Sequence, residues 1–200
     1  MEQVVARGSR RRTAPGPSLR EQMCRVATDL VTREGWGKVT MARLAEEVGV
    51  SRQTVYNEIG TKNDLAEAIV LLQLERFLAE VTRSFDDHPE DLIAAIRASA
   101  RRVLAFARDN ALLHAVVSAT HGADTELLPL LTTHSQYLLD GAKQVVAGRV
   151  AGYRTTLSAP ELDACIDMVV RLVLSHVMQP NADPSATADD IAFIAGRVLT

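Results

Sequence analysis

The stretch that decides the fold covers residues 40–62 and reads TMARLAEEVGVSRQTVYNEIGTK. Its first half, residues 41–48, places apolar side chains at the i, i+3, i+4, i+7 spacing of one buried helical face. Thr40 stands before this segment as an N-cap, and Gly49 follows it as the residue best suited to a left-handed helix end. Ser51 then caps a second segment, from 52 to about 59. The stretch therefore predicts two short helices joined by a tight turn.

The second of these helices carries side chains that suit nucleic acid. Its inner face holds Val55 and Ile59, which leaves the polar residues to the other faces. Arginine, glutamine and asparagine can form paired hydrogen bonds with guanine or adenine edges in the major groove, and threonine and tyrosine hydroxyls can bond phosphates. The exposed set consists of Arg52, Gln53, Thr54, Tyr56 and Asn57. Because the turn chemistry and these side chains coincide, a helix-turn-helix is favoured over a plain helical hairpin with a solvated polar face.

The charge of the chain is distributed unevenly. The first sixty residues hold ten Lys or Arg and seven Asp or Glu, whereas the remainder holds twelve and eighteen, for a net charge of −3. A basic end on an acidic chain is typical of a DNA-binding module attached to a second domain.

The chain resembles the TetR family of bacterial transcriptional regulators over about residues 19–70. The resemblance rests on a frame of ten positions, which are Thr40, Leu44, Ala45, Gly49, Val50, Ser51, Thr54, Tyr56, Lys62 and Leu65. It implies a homodimer in which an N-terminal domain binds double-stranded DNA, and a C-terminal helical body holds a ligand and the dimer contact. Ligand binding in this family typically releases the DNA. Beyond residue 70 the resemblance rests on length and helix number alone.

The resemblance assigns roles to individual residues of this chain. Thr40, Tyr56 and Lys62 match positions that usually touch phosphate, and Arg52, Gln53 and Asn57 match positions that can face bases. The full predicted DNA-binding set is Thr40, Arg43, Ser51, Arg52, Gln53, Thr54, Tyr56, Asn57 and Lys62. The family often has glycine at Gln53, an aromatic residue at Asn57, histidine or asparagine at Glu58 and phenylalanine at Ile59. The carboxylate of Glu58 either points away from the phosphates or accepts a hydrogen bond from a cytosine amine.

The whole chain is predicted to be all-α, with about nine helices, because no alternating β pattern of useful length occurs. We divide it into a basic arm (1–17), a helix-turn-helix domain (18–62) and a ligand-binding and dimerisation domain (63–200). The arm either contacts DNA or is a solvated tail. Helix starts are predicted at two capping boxes, Ser18–Glu21 and Thr61–Asp64, and near Pro89, Ser158 and Thr187.

The resemblance implies a dimer through the last two helices. The helix that starts after Ser158 supports this, since it is apolar on more than one side, as expected for a helix buried between its own domain and a partner. A dimer would also place two reading helices about 34–36 Å apart, in successive major grooves of a palindromic operator.

The middle helices, about 92–150, are expected to surround an effector pocket. They are rich in Leu, Val and Ala and poor in aromatic residues, which favours a long aliphatic chain, such as a fatty acid or acyl thioester, over a flat aromatic ligand. A leucine-rich core without a cavity is the alternative. The candidate lining residues are Phe77, Phe106, Leu113, His114, Val117, His121 and Tyr137.

Other classes of function receive little support. No nucleophile elbow or glycine-rich phosphate loop indicates an enzyme, no ligand set completes a metal site around His114 and His121, and no cofactor is implied. No apolar run approaches a membrane span or a secretory signal, and Cys24 and Cys165 suit buried reduced thiols, so we expect a cytoplasmic protein. The main rival is a helix-turn-helix activator or DNA-organising protein that has no small-molecule effector.

Overall fold

A computed structural model describes residues 16–114, 135–180 and 182–199, with only the backbone of 135, 137 and 138. All regular structure in these ranges is helical, which confirms the predicted all-α class. The α-helices are α1 (Leu19–Glu34), α2 (Met41–Val48), α3 (Arg52–Glu58), α4 (Lys62–Asp87), α5 (Leu92–Arg108), α6 (Ser135–Val150), α7 (Ala159–Met178) and α8 (Pro184–Leu199). A 3-10 turn (Trp36–Lys38) joins α1 to α2, and residues 111–114 are also helical.

The N-terminal head consists of α1, α2, α3 and the first turns of α4. Apolar residues of all four helices share one core, in which Met23, Leu30, Leu44, Val55 and Leu65 are fully buried. Removing such a side chain from a packed core costs about 2–5 kcal/mol, so this cluster dominates the stability of the head. Trp36 belongs to the same core and is 5% exposed.

Two predicted capping boxes frame the head. The Ser18 hydroxyl accepts from the Glu21 N–H, and the Glu21 carboxylate accepts from the Ser18 N–H at 2.8 Å. Thr61 and Asp64 form the same reciprocal pair at the start of α4, and the hydrogen bonds from Thr61 lower the pKa of Asp64. Each box satisfies backbone donors that a helix start would otherwise leave unpaired.

The body consists of the rest of α4 and α5 to α8. Helix α5 lies centrally and packs against α4, α7 and α8, while α6 packs against α4 and α7. The core of the body includes Phe85, Ala95, Val103, Val170 and Ile191. The body therefore connects to the head at two places. Helix α4 begins in the head and continues into the body, and Leu112, which follows α5, is buried in the head core.

Two helix starts differ from the sequence prediction. Helix α4 ends at Asp87, before Pro89, and α5 begins only after the proline. Its N-cap is Asp91, whose carboxylate accepts from the Ala94 N–H at 2.8 Å. Helix α8 begins at Pro184 rather than after Thr187, which is buried inside it. The reason is that proline is pre-organised for the first helical position, and Asp183 before it accepts from the Ser185 N–H at 2.9 Å.

Some predictions lie outside the described residues. They include the arm up to residue 15 and the candidate effector residues Val117 and His121. The side chain of Tyr137 is also outside them. Within the described ranges no helix is long and apolar enough to cross a membrane, and no cluster of His, Cys, Asp or Glu could hold a metal ion. Burial raises the pKa of both the Cys24 and Cys165 thiols, which favours their unreactive protonated form.

Candidate nucleic-acid interface and effector cavity

The turn between α2 and α3 holds the two helices in a helix-turn-helix. The Thr40 hydroxyl accepts from the Arg43 N–H at 3.2 Å and begins α2. Gly49 has φ 78° and ψ 33°, a left-handed conformation that costs a residue with a Cβ more than glycine. The Ser51 hydroxyl accepts from the Thr54 N–H at 3.0 Å and begins α3. The local signals in the sequence thus produce the predicted motif residue by residue.

Helix α3 presents a polar face to solvent while Val55 anchors it to the core. Arg52, Gln53, Tyr56 and Asn57 are all exposed. The Arg52 side chain forms no hydrogen bond or ion pair with any described residue, so its guanidinium is available for a bidentate contact. Gln53 Nε2 donates to Asn57 Oδ1 at 2.9 Å, which holds the two amides side by side. The oxygen of Gln53 and the nitrogen of Asn57 then remain for an adenine edge.

Arg20 contacts the C-terminal end of α3, a role that the sequence analysis did not predict. Its Nη1 donates to the backbone carbonyl oxygen of Glu58 at 2.6 Å, at the C-terminal end of α3. A cation at this end satisfies an unpaired carbonyl and complements the helix dipole. The Glu58 side chain is exposed. Only the fold brings Arg20 near residue 58, thirty-eight positions along the chain, so no local pattern could reveal the contact.

Arg43 is already paired within the head. Its guanidinium donates to both carboxylate oxygens of Glu34, with 2.6 Å between Nη1 and Oε2. The hydrogen bonds from Arg43 lower the pKa of Glu34. The positive charge of Arg43 is therefore balanced by a carboxylate before DNA arrives.

Lys62 begins α4 beside the motif, at the position where the resemblance implies a phosphate contact. Its Nζ lies 4.9 Å from the centroid of the buried Trp36 ring, an arrangement that favours the cation and restricts its position. Thr40 is exposed at the start of α2. The head thus holds polar and cationic groups at the starts of three helices, where backbone N–H groups also favour anions.

We predict that Lys62→Ala weakens binding to all DNA alike and flattens the dependence of affinity on salt. A phosphate contact releases a counterion, so its loss lowers the slope of log affinity against log salt by about one per protomer. Fluorescence anisotropy at several salt concentrations measures the slope, with Lys62→Arg as the control that keeps the charge. A slope equal to that of the unchanged protein would remove Lys62 from the interface.

A second candidate site is an apolar cavity of about 130 Å³ inside the body. That volume is roughly ten times the minimum that holds one water molecule, so it suits a group of about ten non-hydrogen atoms. Four helices contribute the described lining residues, which are Leu74, Phe77, Leu78, Val81, Phe85, Ile96, Ser99, Ala100, Val103, Ala142, Val146, Val169, Val170, Val173, Leu174 and Val177. Every one of these side chains except Ser99 is apolar. A site of this composition binds hydrocarbon and rejects charge.

The predicted effector residues have different positions relative to this cavity. Phe77 lines it, and Phe106 packs edge-on against Phe77, with ring centroids 4.9 Å apart, without lining it. Leu113 packs against the body core. His114 is exposed, and its Nε2 lies 2.6 Å from the carbonyl oxygen of Arg108. Residues 92–150 were expected to surround the pocket. Helices α5 and α6 of that range do line the cavity, but α4 and α7, which lie outside it, line it as well.

Comparisons with known proteins agree with both parts of the structure. Residues 24–69 match the model of the family described as bacterial regulatory proteins, tetR family. Residues 91–197, more than half of the chain, match the model described as bacterial tetracyclin repressor, C-terminal domain. The chain belongs to the TetR family of bacterial transcriptional regulators. The two matches confirm the family resemblance. Members of this family are DNA-binding regulators and not enzymes, as the sequence predicts for this chain.

Two individual proteins are similar to the chain over most of its length, and a third is similar over half of it. The HTH-type transcriptional regulator AlkX of Mycobacterium tuberculosis is 28% identical over 172 residues, which cover 86% of this chain and 81% of the relative. The crystal structure of the repressor AlkX from Dietzia, a protein implicated in biodegradation of n-alkanes, superimposes with a TM-score of 0.71 and 25% identity. That match covers 90% of this chain and 95% of the other. The nucleoid occlusion factor SlmA of Vibrio cholerae is 29% identical over half of each chain.

Proposed function

We propose that this TetR-family protein is a repressor that binds a palindromic operator as a homodimer and leaves it on binding a hydrophobic small molecule. The observation that carries the proposal is the apolar cavity, placed between α4, which begins in the DNA-binding head, and α7. The effector is an aliphatic chain, with a long-chain fatty acid or acyl thioester as the best candidate, and the cavity holds a segment of about ten of its non-hydrogen atoms. The n-alkane connection of the Dietzia relative supports the same ligand class.

We propose that the DNA-binding surface is formed by the starts of α2, α3 and α4, at the residues that the sequence predicts. Thr40, Tyr56 and Lys62 contact phosphates and position the head, and Arg52, Gln53 and Asn57 face the bases. Arg43 can join them either through the guanidinium N–H groups that Glu34 does not engage, or by exchanging the Glu34 carboxylate for a phosphate.

Substitution of Arg52 tests the base-reading role. If Arg52 holds a guanine through two hydrogen bonds, Arg52→Ala should reduce the preference for the correct site over scrambled DNA by about 1–3 kcal/mol. Arg52→Lys is the matched control, since it keeps the charge but loses the planar fork. Anisotropy titrations on native and scrambled DNA measure the preference. Equal losses on both DNAs would make Arg52 a phosphate contact instead.

The dimer contact is proposed on the outer face of α7 and α8. This face carries the large apolar side chains that the described body leaves exposed, namely Met168, Leu174, Met178, Phe193, Ile194 and Val198. Phe193 is 62% exposed and Met168 is 67% exposed. Apolar residues clustered on two adjacent helices mark an interaction surface, and a second copy of the chain supplies a matching one in a two-fold arrangement.

Helix α4 is the proposed link between effector and DNA. Leu65 and Ile69 are buried in the head core, and the cavity-lining residues from Leu74 to Phe85 lie further along the same helix. A second connection follows α5, where Asn110 donates to Gln73 Oε1 of α4 at 2.9 Å and Leu112 enters the head core. We accordingly propose the domain division 1–17, 18–62 and 63–200, with α4 spanning the last boundary. A ligand that repositions α4 would shift the head.

The function is tested by fluorescence anisotropy of the full chain on DNA from upstream of its own gene, near physiological salt, with scrambled DNA alongside. Long-chain fatty acids and acyl thioesters are then titrated into the complex. Specific binding that these compounds reverse is the expected result. Specific binding that none of them reverses would favour the rival function, a regulator or DNA-organising protein without an effector, which the partial similarity to nucleoid occlusion factors also suggests.

A further inference from the structure

Ser99 is the polar residue in the otherwise apolar cavity. It is 8% exposed, and its Oγ is buried with no hydrogen-bond partner among the described residues. A buried hydroxyl without a partner costs free energy, so its presence in such a site requires a reason.

Two other hydroxyls on helices of the same chain form the hydrogen bond that Ser99 lacks. Ser84 Oγ accepts from Arg102 and donates to the Glu80 carbonyl at 2.8 Å, and Thr28 donates to the Cys24 carbonyl at 2.8 Å. Both use the carbonyl four residues earlier, which is the common way to satisfy a hydroxyl inside a helix. Ser99 makes no such bond within the described structure, and rotation about one side-chain bond redirects its hydroxyl.

The charge around the cavity limits what this hydroxyl can meet. No described lining residue is ionisable. The nearby Arg102, on the same helix, is engaged by Ser84 and by Asp87, the latter at 2.7 Å. A carboxylate in this cavity would therefore be buried without a cation, at a cost of several kcal/mol. A hydroxyl or carbonyl group needs only one hydrogen bond and carries no such penalty.

We propose that Ser99 anchors the effector by hydrogen bonding to an uncharged oxygen-bearing group on its aliphatic chain. The effector is accordingly an alcohol, aldehyde, ester or thioester rather than a free carboxylate. This inference rests on the proposed effector function and narrows it to the neutral members of the acyl and alkyl class. The serine hydroxyl can donate to a carbonyl, and it can donate to or accept from an alcohol.

The test uses two ligands of equal size, 1-decanol and undecane, and two proteins, the unchanged chain and Ser99→Ala. Equilibrium dialysis gives the free concentration at half saturation. The ratio of the two dissociation constants is compared between the two proteins. For each ligand, the free energy of leaving water is the same whichever protein binds it, so that contribution cancels in the comparison. Ser99→Ala should weaken 1-decanol about tenfold, as expected for a buried hydroxyl that loses its partner, and should leave undecane within about twofold.

Ser185→Ala is the matched control, because Ser185 is an exposed serine at the start of α8 and does not line the cavity. It should change neither ligand. Equal weakening of both ligands in Ser99→Ala would show that Ser99 only packs, and would overturn the inference while leaving the effector function standing. If neither ligand binds the unchanged protein, the effector function itself fails, and the inference fails with it.

Decanoate supplies an independent arm of the same experiment. At neutral pH it should bind more weakly than methyl decanoate, and its binding should tighten as the pH falls, because the protonated acid enters the cavity without a buried charge. Decanoate that binds more tightly than its ester, at every pH, would show that a cation outside the described lining receives the carboxylate. That result would overturn the assignment of a neutral ligand.

Discussion

Phe193→Glu should convert the protein to a monomer and reduce its affinity for the operator by about a hundredfold or more. Phe193 is 62% exposed on α8, and its ring lies 5.3 Å from the Arg197 guanidinium carbon. In a two-fold contact the same residue occurs twice, so two carboxylates would be buried in one apolar surface. Each head would then bind its half-site alone, and the gain from simultaneous binding, typically 10²–10⁴, would be lost.

Sedimentation velocity measures the mass, and anisotropy on the native DNA measures the affinity. Phe193→Leu is the matched control, since it keeps the surface apolar and should leave both quantities nearly unchanged. Circular dichroism confirms that the variant retains its helices. A dimer that survives Phe193→Glu would place the contact elsewhere on the body, and a monomer that retains full affinity would mean that one head suffices for DNA binding.

The head could be predicted from sequence because its signals are local. Thr40, Gly49 and Ser51 act within three or four residues of themselves, and their hydrogen bonds and backbone angles occur where the sequence places them. The partners of the exposed charged side chains could not be predicted from the sequence. The pairing of Arg43 with Glu34 and the contact of Arg20 with the end of α3 join residues nine and thirty-eight positions apart. Such contacts exist only once helices are packed.

The cavity was harder to predict for the same reason. Apolar residues of α4 and α7 have the spacing of ordinary core positions, and nothing local distinguishes a packed side chain from one beside a void. Val169 and Val173 line the cavity, whereas Met168 and Met178 on the same helix are exposed and do not line it. The sequence did indicate that α7 is apolar on more than one side, but it attributed the extra face to the partner alone.

The corrected helix starts show how neighbouring signals compete. Thr187 has an acidic residue three positions on and fits the capping pattern, but Pro184 allows the helix to begin one turn earlier. The hydroxyl of Thr187 is then inside the helix, and its burial contributes to packing against the body. The earlier of two adequate caps prevails when the extra turn also buries apolar surface, since tertiary packing supplies most of the stability of a short helix.

Ala142→Phe should abolish release of DNA by aliphatic effectors while DNA binding itself persists. Ala142 lies on α6 and lines the cavity, whose volume of about 130 Å³ suits about ten non-hydrogen atoms. The six ring carbons of phenylalanine would occupy most of this space, so the ligand would have to displace a packed side chain. We expect the effector concentration for half-release to rise more than about tenfold, because the ligand loses the free energy of burying apolar surface in the cavity.

Ala147→Phe is the matched control, because Ala147 lies on the same helix but is exposed and does not line the cavity. The same ring placed there should leave release unchanged. Anisotropy of preformed complexes, titrated with methyl decanoate, compares the two variants at equal DNA occupancy. Release that survives in Ala142→Phe would separate the effector site from this cavity. A variant locked off DNA without effector would instead show that filling the cavity mimics the ligand, and would identify the position of α4 as the quantity that the cavity controls.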